Sequence, residues 1–312
     1  MMISKKYAKE VKKRLPKDAD IIVAPAGSTL MASIKTEHKK VMINDATFIG
    51  LVDYHKSYTN LCHSSNKVGT ILEKKALHNC DLLLFSSDWA ANSAINDYNV
   101  APSKVKVIPF GANIETMYSD SEINTIIKKR INSNKCNLLF VGVDWERKGG
   151  AFAVAVAKEL YSQNIDVRLD IVGIKDIKIE NTDYIINHGF ISKKTDAGKQ
   201  KLIKLFEDAH FFILPTMNEA FGIVFAEASS FALPSLAPKT GGVETAIKDN
   251  INGMTFELKA STKEYANYIN NLLNNRLDYE KLCKTSFEYY KTELNWNIAG
   301  TRIVDAMREL IK

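Results

Sequence analysis

Cysteine is scarce in this 312-residue chain: the four, Cys62, Cys80, Cys136 and Cys283, stand far apart with no Cys-x-x-Cys pair. That spacing excludes the common zinc motifs and supplies no disulfide framework, so reduced, partly buried thiols are expected. The six histidines form no His-Glu-x-x-His, which leaves a zinc hydrolase unsupported. No apolar run approaches the roughly 18 residues that a membrane-spanning helix needs. The start, Met1-Met-Ile-Ser-Lys-Lys6, lacks the apolar core of a signal peptide, and the expectation is a cytoplasmic protein. An early Gly-x-Gly-x-x-Gly turn is also missing, so the chain has no dehydrogenase fingerprint.

What is present is the composition of a globular protein, with 46% hydrophobic and 25% charged residues and room for two domains. Net charge is +6, much of it between Lys5 and Lys17. In that stretch Tyr7, Ala8, Val11 and Leu15 share one helical face, leaving a basic outer side. Two readings follow. One is a solvated surface helix; the other is peripheral contact with anionic lipid headgroups at an inner membrane face. No nucleic-acid motif accompanies the charge.

Short apolar runs alternate with amphipathic stretches along the whole chain. Residues 19–26, 41–43, 81–86 and 105–109 read as buried strands of a first series, with Ser28 as a helix cap and a further helix opening at Ser87. Residues 114–136 are polar and helix-prone and read as a junction. A second series has strands at 137–143, 167–172, 184–186 and 211–216, and a further one could begin at 234–237. Helices are expected at 149–163 and 199–209, and a glycine turn at 240–247 leads into a short helix. After Gly253-Met-Thr-Phe256 the chain reads as helical to its end. Such alternation predicts two parallel-sheet α/β domains.

Two stretches carry chemistry. In Asn218-Glu-Ala-Phe-Gly-Ile-Val-Phe-Ala-Glu-Ala228, Glu219 falls in a loop after a strand, and Glu227 falls in the helix that follows. Helical rise puts these carboxylates roughly 12 Å apart, too far to share a metal or a proton but suited to two ends of one extended ligand. Between them the amides of Phe221, Gly222, Ile223 and Val224 open the helix, an arrangement that favours a diphosphate. Phe140-Val-Gly-Val-Asp-Trp-Glu-Arg-Lys-Gly-Gly150 reads as a strand, a loop and a helix start, and Arg147 and Lys148 sit in that loop. Two cations there would stabilise charge on a leaving diphosphate. In a doubly wound sheet both loops face one cleft.

The Glu-x7-Glu element resembles that of the retaining glycosyltransferases of family 4, and Phe140–Gly150 resembles their donor-phosphate loop. Asp45-Ala-Thr-Phe48, Ser86-Ser-Asp-Trp-Ala90 and Lys106–Asn113 are similar to stretches of the bacterial members. The resemblance implies the GT-B fold: two Rossmann-like domains facing a cleft, with a last helix, the one carrying Trp296, crossing back. The corresponding domains are 1–115, acceptor-side and shortened; 116–290, which would bind the nucleotide-sugar donor; and 291–312. It further implies that Glu219 contacts the donor hexose and Glu227 the ribose, that Arg147 and Lys148 neutralise the diphosphate, and that the amides of Phe221, Gly222, Ile223 and Val224 bind sugar and phosphate oxygens. Gly142 would belong to the substrate-binding set, and Asp45 would act on the acceptor side.

The implied reaction is retaining transfer of a hexose-type sugar to a hydroxyl of a glycan, lipid-linked or protein acceptor. No metal or other cofactor is expected, because arginine and lysine take the metal's place. Three departures stand against the family pattern. Val143 replaces the Arg that often follows the glycine, the Gly-Gly-x-Pro-Glu motif reads Gly241-Gly-Val-Glu-Thr245, and the first domain starts late. The last departure supports an alternative, a non-catalytic homologue that binds a sugar nucleotide or a partner subunit. A sugar-nucleotide epimerase of the same fold is a third reading.

Overall fold

The most apolar runs, such as Leu82–Phe85, Phe211–Ile213 and Ser235–Pro238, become strands buried on both faces, as the inner strands of a parallel sheet are. In the computed structural model, which describes residues 2–114, 118–175 and 182–312, the chain divides into two units: Met1–Phe110 with Trp296–Lys312, and Gly111–Asn295. The boundary read between residues 115 and 116 lies outside the described residues.

The first unit runs α1 (Met2–Arg14), β1 (Ile21–Pro25), α2 (Ser28–Met31), β2 (Lys39–Asn44), α3 (Phe48–Leu51), α4 (His63–Asn79), β3 (Leu82–Phe85), α5 (Asp88–Asn96) and β4 (Val105–Val107). Its four strands pair in parallel in chain order, with Val41 opposite Leu82 and Leu83 opposite Val105. One face of the sheet meets Met31, Ala76, Leu77 and Ala94 from the helices.

Two sequence expectations need correction here. Ser28 does not cap α2: Gly27 holds the cap position, and the Ser28 hydroxyl faces Met42 Sδ at 3.7 Å. Tyr7 does not belong to the inner face of α1 and is 54% exposed. The stripe that packs inward is Ser4, Ala8, Val11 and Leu15, pinned by a 2.5 Å hydrogen bond between the Ser4 and Ser33 hydroxyls.

The second unit runs α6 (Asp120–Ile131), β5 (Cys136–Val141), α7 (Gly150–Ser162), β6 (Val167–Val172), β7 (Ile185–Asn187), α8 (Asp196–Asp208), β8 (Phe211–Ile213), α9 (Ile223–Ser230), β9 (Ser235–Pro238), α10 (Val243–Ala246), β10 (Gly253–Phe256), α11 (Thr262–Asn274) and α12 (Arg276–Thr292). Its six strands lie in the order β10-β9-β8-β5-β6-β7, all parallel. Gly253–Phe256 is therefore an edge strand that precedes the final helices. β8 stops at Ile213, short of residue 216, because Pro215 has no N–H to offer the ladder. In α9 six of the eight residues are buried, so this helix lies inside the unit.

The last helix, α13 (Trp296–Ile311), belongs to the first unit. Its Ala299 and Ala306 pack on Val41, Leu82, Leu84 and Ile108 and cover the second face of that sheet. The Trp296 ring stacks on Phe110 at 5.5 Å, and Lys106 pairs with Glu309 at 2.5 Å. Each unit is thus a Rossmann-like parallel-sheet layer, the first with fewer strands.

Candidate functional site

Topology sets where a ligand can bind. In the second unit the strand order reverses between β5 and β8, and sheets of this kind bind ligands outside the carboxyl ends of the strands at that point. The loop after β5 carries Arg147 and Lys148, and the loop after β8 carries Glu219.

The two loops are fastened together. Met217 N–H donates to the Arg147 carbonyl at 2.8 Å, and the Thr216 hydroxyl reaches the Arg147 and Asn218 carbonyls at 3.3 and 3.1 Å. The loop after β9 joins them, with Thr240 Oγ1 donating to Met217 O at 3.0 Å and Gly242 N–H to Glu219 O at 2.9 Å. This closeness requires glycine at 149, where φ is +73° and a Cβ would stand 1.9 Å from the Pro215 carbonyl oxygen. Gly222, at φ +82°, likewise turns the chain into α9 with no side chain to cap it.

Lys148 and Glu219 form an ion pair, each side chain only 12% exposed. The stem of Lys148 lies over Gly142, where an added Cβ would come within 3.1 Å of Lys148 Cγ. Arg147 is held alongside. Its Nη1 donates to the Asn218 carbonyl at 3.1 Å, its Nε lies 3.5 Å from Asp144 Oδ2, and its backbone N–H donates to Asp144 Oδ1. A guanidinium has five N–H donors, so donors remain for a ligand.

Glu227 is the one charged residue of α9 and is 3% exposed. Burial pushes its carboxyl above the ordinary carboxylate range, opposed by Lys193 and by the Asn113 backbone N–H. Lys193 Nζ, from the loop between β7 and α8, lies 2.5 Å from Glu227 Oε1. Phe221 is buried, while Ile223 and Val224 at the first turn of α9 are half-buried. Asp45 lies in the first unit, exposed at the carboxyl end of β2. Among the described residues no group of three or more His, Cys, Asp or Glu is arranged to hold a metal ion.

The second unit thus brings Gly142, Arg147, Lys148, Glu219 and Gly222 to one edge. The sequence reading missed Asp144, Thr216, Thr240 and Lys193. Asp144 and Thr216 lie inside or beside the motifs that were read. Lys193 sits in a polar loop with no periodic signal.

Residues 121–289 match the family model described as glycosyl transferases group 1. The chain belongs to that family. This group 1 chain is 21% identical over 243 residues to a D-inositol 3-phosphate glycosyltransferase of Thermobifida fusca, covering 74% of this chain and 56% of that protein. A protein of the same name from Corynebacterium diphtheriae is 25% identical over 199 residues, covering 59% and 46%. The group 1 chain therefore spans about half the length of the curated relatives it matches.

Among solved structures it is similar to a sucrose-phosphate synthase from Thermosynechococcus elongatus, with a TM-score of 0.71 and 18% identity over 98% of this chain and 77% of that one. It is similar also to the Anabaena protein HepE solved in complex with UDP, with a TM-score of 0.69 and 17% identity over 97% and 82%. The fold of this group 1 chain is GT-B.

Proposed function

We propose that the chain is a retaining, metal-independent glycosyltransferase of the family 4 type. It moves a hexose-type sugar from a nucleoside-diphosphate sugar to a hydroxyl of a glycan, lipid-linked or protein acceptor. One observation carries the reading: the half-buried Lys148–Glu219 pair, with Arg147 beside it, stands at the strand-order reversal next to the amino terminus of α9. A cation pair and a carboxylate at one sheet edge suit a molecule with a diphosphate at one end and sugar hydroxyls at the other.

On this reading Lys148 and Arg147 stabilise the charge that develops on the diphosphate as the bond from the anomeric carbon to its phosphate oxygen breaks. Glu219 accepts hydrogen bonds from hexose hydroxyls, and Glu227 from the ribose. The amides of Phe221, Gly222, Ile223 and Val224 bind oxygens of the sugar and phosphate, and Gly142 keeps the floor of the site low. The acceptor hydroxyl attacks the anomeric carbon on the face that the phosphate leaves, and its proton passes to the departing phosphate oxygen. No enzymic base is then needed, and positioning carries most of the catalysis. Asp45 acts on the acceptor side. No cofactor is required.

The basic outer side of α1, with Lys5, Lys6, Lys9, Lys12 and Lys13 beside exposed Met2, Ile3 and Tyr7, supports contact with an anionic membrane surface. No helix among the described residues is long and apolar enough to cross a membrane. A cytoplasmic protein working at an inner membrane face on a lipid-linked acceptor accords with both features. A non-catalytic subunit is less well supported, because both loops with their cations and carboxylate are present.

Thermal unfolding with UDP, GDP, ADP and their hexose conjugates tests the reading, UDP first because HepE was solved with it. Ligand at a hundred times its dissociation constant adds about 2.7 kcal/mol, a midpoint shift of roughly 5–10 °C for units of this size. A shift with one base, followed by acceptor-dependent consumption of its sugar conjugate, is expected. No shift with any of them would favour the non-catalytic reading.

A further inference from the structure

The pair at Glu227 reaches beyond the residues that the motifs single out. α9 buries Phe225, Ala226, Ala228, Ser229 and Ser230 around this carboxylate. A carboxylate in such surroundings is costly unless it is paired and hydrogen-bonded. The charge opposite it comes from Lys193, a residue in the loop between β7 and α8, 34 positions earlier. The Lys193 side chain is itself 42% exposed, so it is not held there by burial of its own.

The local chain aims it. Lys194 N–H donates to the Ser192 hydroxyl at 3.2 Å, and Thr195 caps α8 by accepting from Gly198 N–H at 3.3 Å. The backbone on both sides of Lys193 is thereby fixed. Beside the pair is a cavity of about 200 Å³ lined by Asn113, Ile114, Lys193, Lys199, Leu202 and Ile203. An ionised carboxylate accepts about four hydrogen bonds. The Lys193 ammonium and the Asn113 N–H account for two, leaving capacity for the two neighbouring hydroxyls of a sugar ring.

We infer that Lys193 is a positioning residue for donor binding: it keeps the Glu227 carboxylate ionised and oriented to accept the ligand's hydroxyls. The inference rests on the proposed donor site and names a residue that sets the site's pH range. Elements α10, α12 and β9 pack against α9, and among the described residues they bring no further charge to Glu227; the Lys193 ammonium, helped by the Asn113 N–H, is the charge that opposes its burial. Because burial raises the carboxyl, loss of the ammonium raises it further. Hydroxyl binding that needs the ionised form then fails at a higher pH than in the parent protein.

The test uses the full chain with Lys193→Met and Lys193→Arg. Two quantities are followed from about pH 5 to 9: the Glu227 carboxyl by carbon-13 NMR of glutamate-labelled protein, assigned with Glu227→Gln, and the affinity for UDP, GDP and ADP by calorimetry. Lys193→Met should move the Glu227 titration upward and weaken the bound nucleotide about tenfold or more near neutrality. The loss should deepen as pH falls, and Lys193→Arg should restore both quantities. A Glu227 titration unmoved in Lys193→Met overturns the inference whether or not nucleotide binds. Equal affinity in the parent and Lys193→Met overturns it while leaving the donor site standing. A parent protein that binds none of the three nucleotides removes the donor reading, and the inference with it. Tighter binding by Lys193→Met would make the lysine a competitor for the site and also overturn it.

Discussion

Lys148 of the loop after β5 is ion-paired to Glu219 of the loop after β8, and each side chain is only 12% exposed. Screening by salt is weak at that depth, and the pair leaves this part of the site close to neutral before a ligand arrives. On the proposed reading the two groups part company when the donor binds. Lys148 turns its charge to the diphosphate, and Glu219 accepts from the hexose. The pair therefore holds both side chains near their working positions, which lowers the ordering cost of binding.

Replacing Lys148 with alanine should slow turnover more than it weakens donor binding, because its charge matters most where charge develops. A fall of about a hundredfold in rate at saturating donor is expected, the scale seen when a single preorganised electrostatic group is removed. Steady-state kinetics at saturating donor checks this. An unaltered rate would take Lys148 out of the catalytic set.

Gly149→Ala tests the junction of the two loops. The substitution sets a side chain at φ +73° and drives its Cβ to 1.9 Å from the Pro215 carbonyl oxygen, so the backbone of one loop has to move. A stability loss of about 2–4 kcal/mol in urea unfolding is expected, with loss of nucleotide binding at temperatures where the variant is still folded. A variant that binds nucleotide like the parent would show that the two loops need not touch.

The sequence made the frame of this site legible because its parts are local. A buried run such as Phe211–Ile213, a loop and a helix lie in one stretch, and the carboxyl end of a parallel strand is where ligands bind. Arg147, Lys148 and Glu219 could be placed for that reason. Lys193 could not, because its partner is chosen by the folding of a polar loop against α9, and neither charge periodicity nor spacing records it. The cap of α2 was misread by one residue because Gly27 and Ser28 are both good cap residues, and only the backbone angle separates them. The inner stripe of α1 was misread because Tyr7 lies beside it, and the small Ser4 and Ala8 let α2 come close.

His210 gives the second unit a stability that depends on pH. It is 2% exposed, its Nδ1 accepts from Asn137 N–H at 3.1 Å, and the proton on Nε2 is donated to the Arg130 carbonyl at 3.0 Å. That is the neutral ring, and burial pushes its pKa down to about 4. Since the folded value lies below the ordinary 6.5, the unfolded chain binds the extra proton between the two. The contribution is complete above about pH 6.5 and is lost as pH falls towards 4, to an extent of about 2–3 kcal/mol. Urea unfolding from pH 7 to 5 should show this decline in the parent and a flatter profile in His210→Gln. Parallel profiles would assign the decline to other groups.

Cys62 should be the reactive thiol of the chain. It is exposed at the cap position of α4, and the Ser64 and Ser65 hydroxyls lie 3.2 and 3.1 Å from its sulfur. Hydrogen bonds to the thiolate, those from Ser64 first, bring its pKa down to about 7. Cys80 and Cys136 are buried and pushed up to about 12, and burial raises Cys283 as well. Nucleophilic attack needs the thiolate, so a mild alkylating agent at neutral pH should label Cys62 alone, and its rate should rise through a midpoint near pH 7. Mass spectrometry of the labelled peptides reads the site. Cys62→Ser should abolish labelling of the native protein, and Ser64→Ala with Ser65→Ala should move the midpoint upward. A midpoint that stays in place in the double variant would show that the hydroxyls do not stabilise the thiolate and that its position at the start of α4 does.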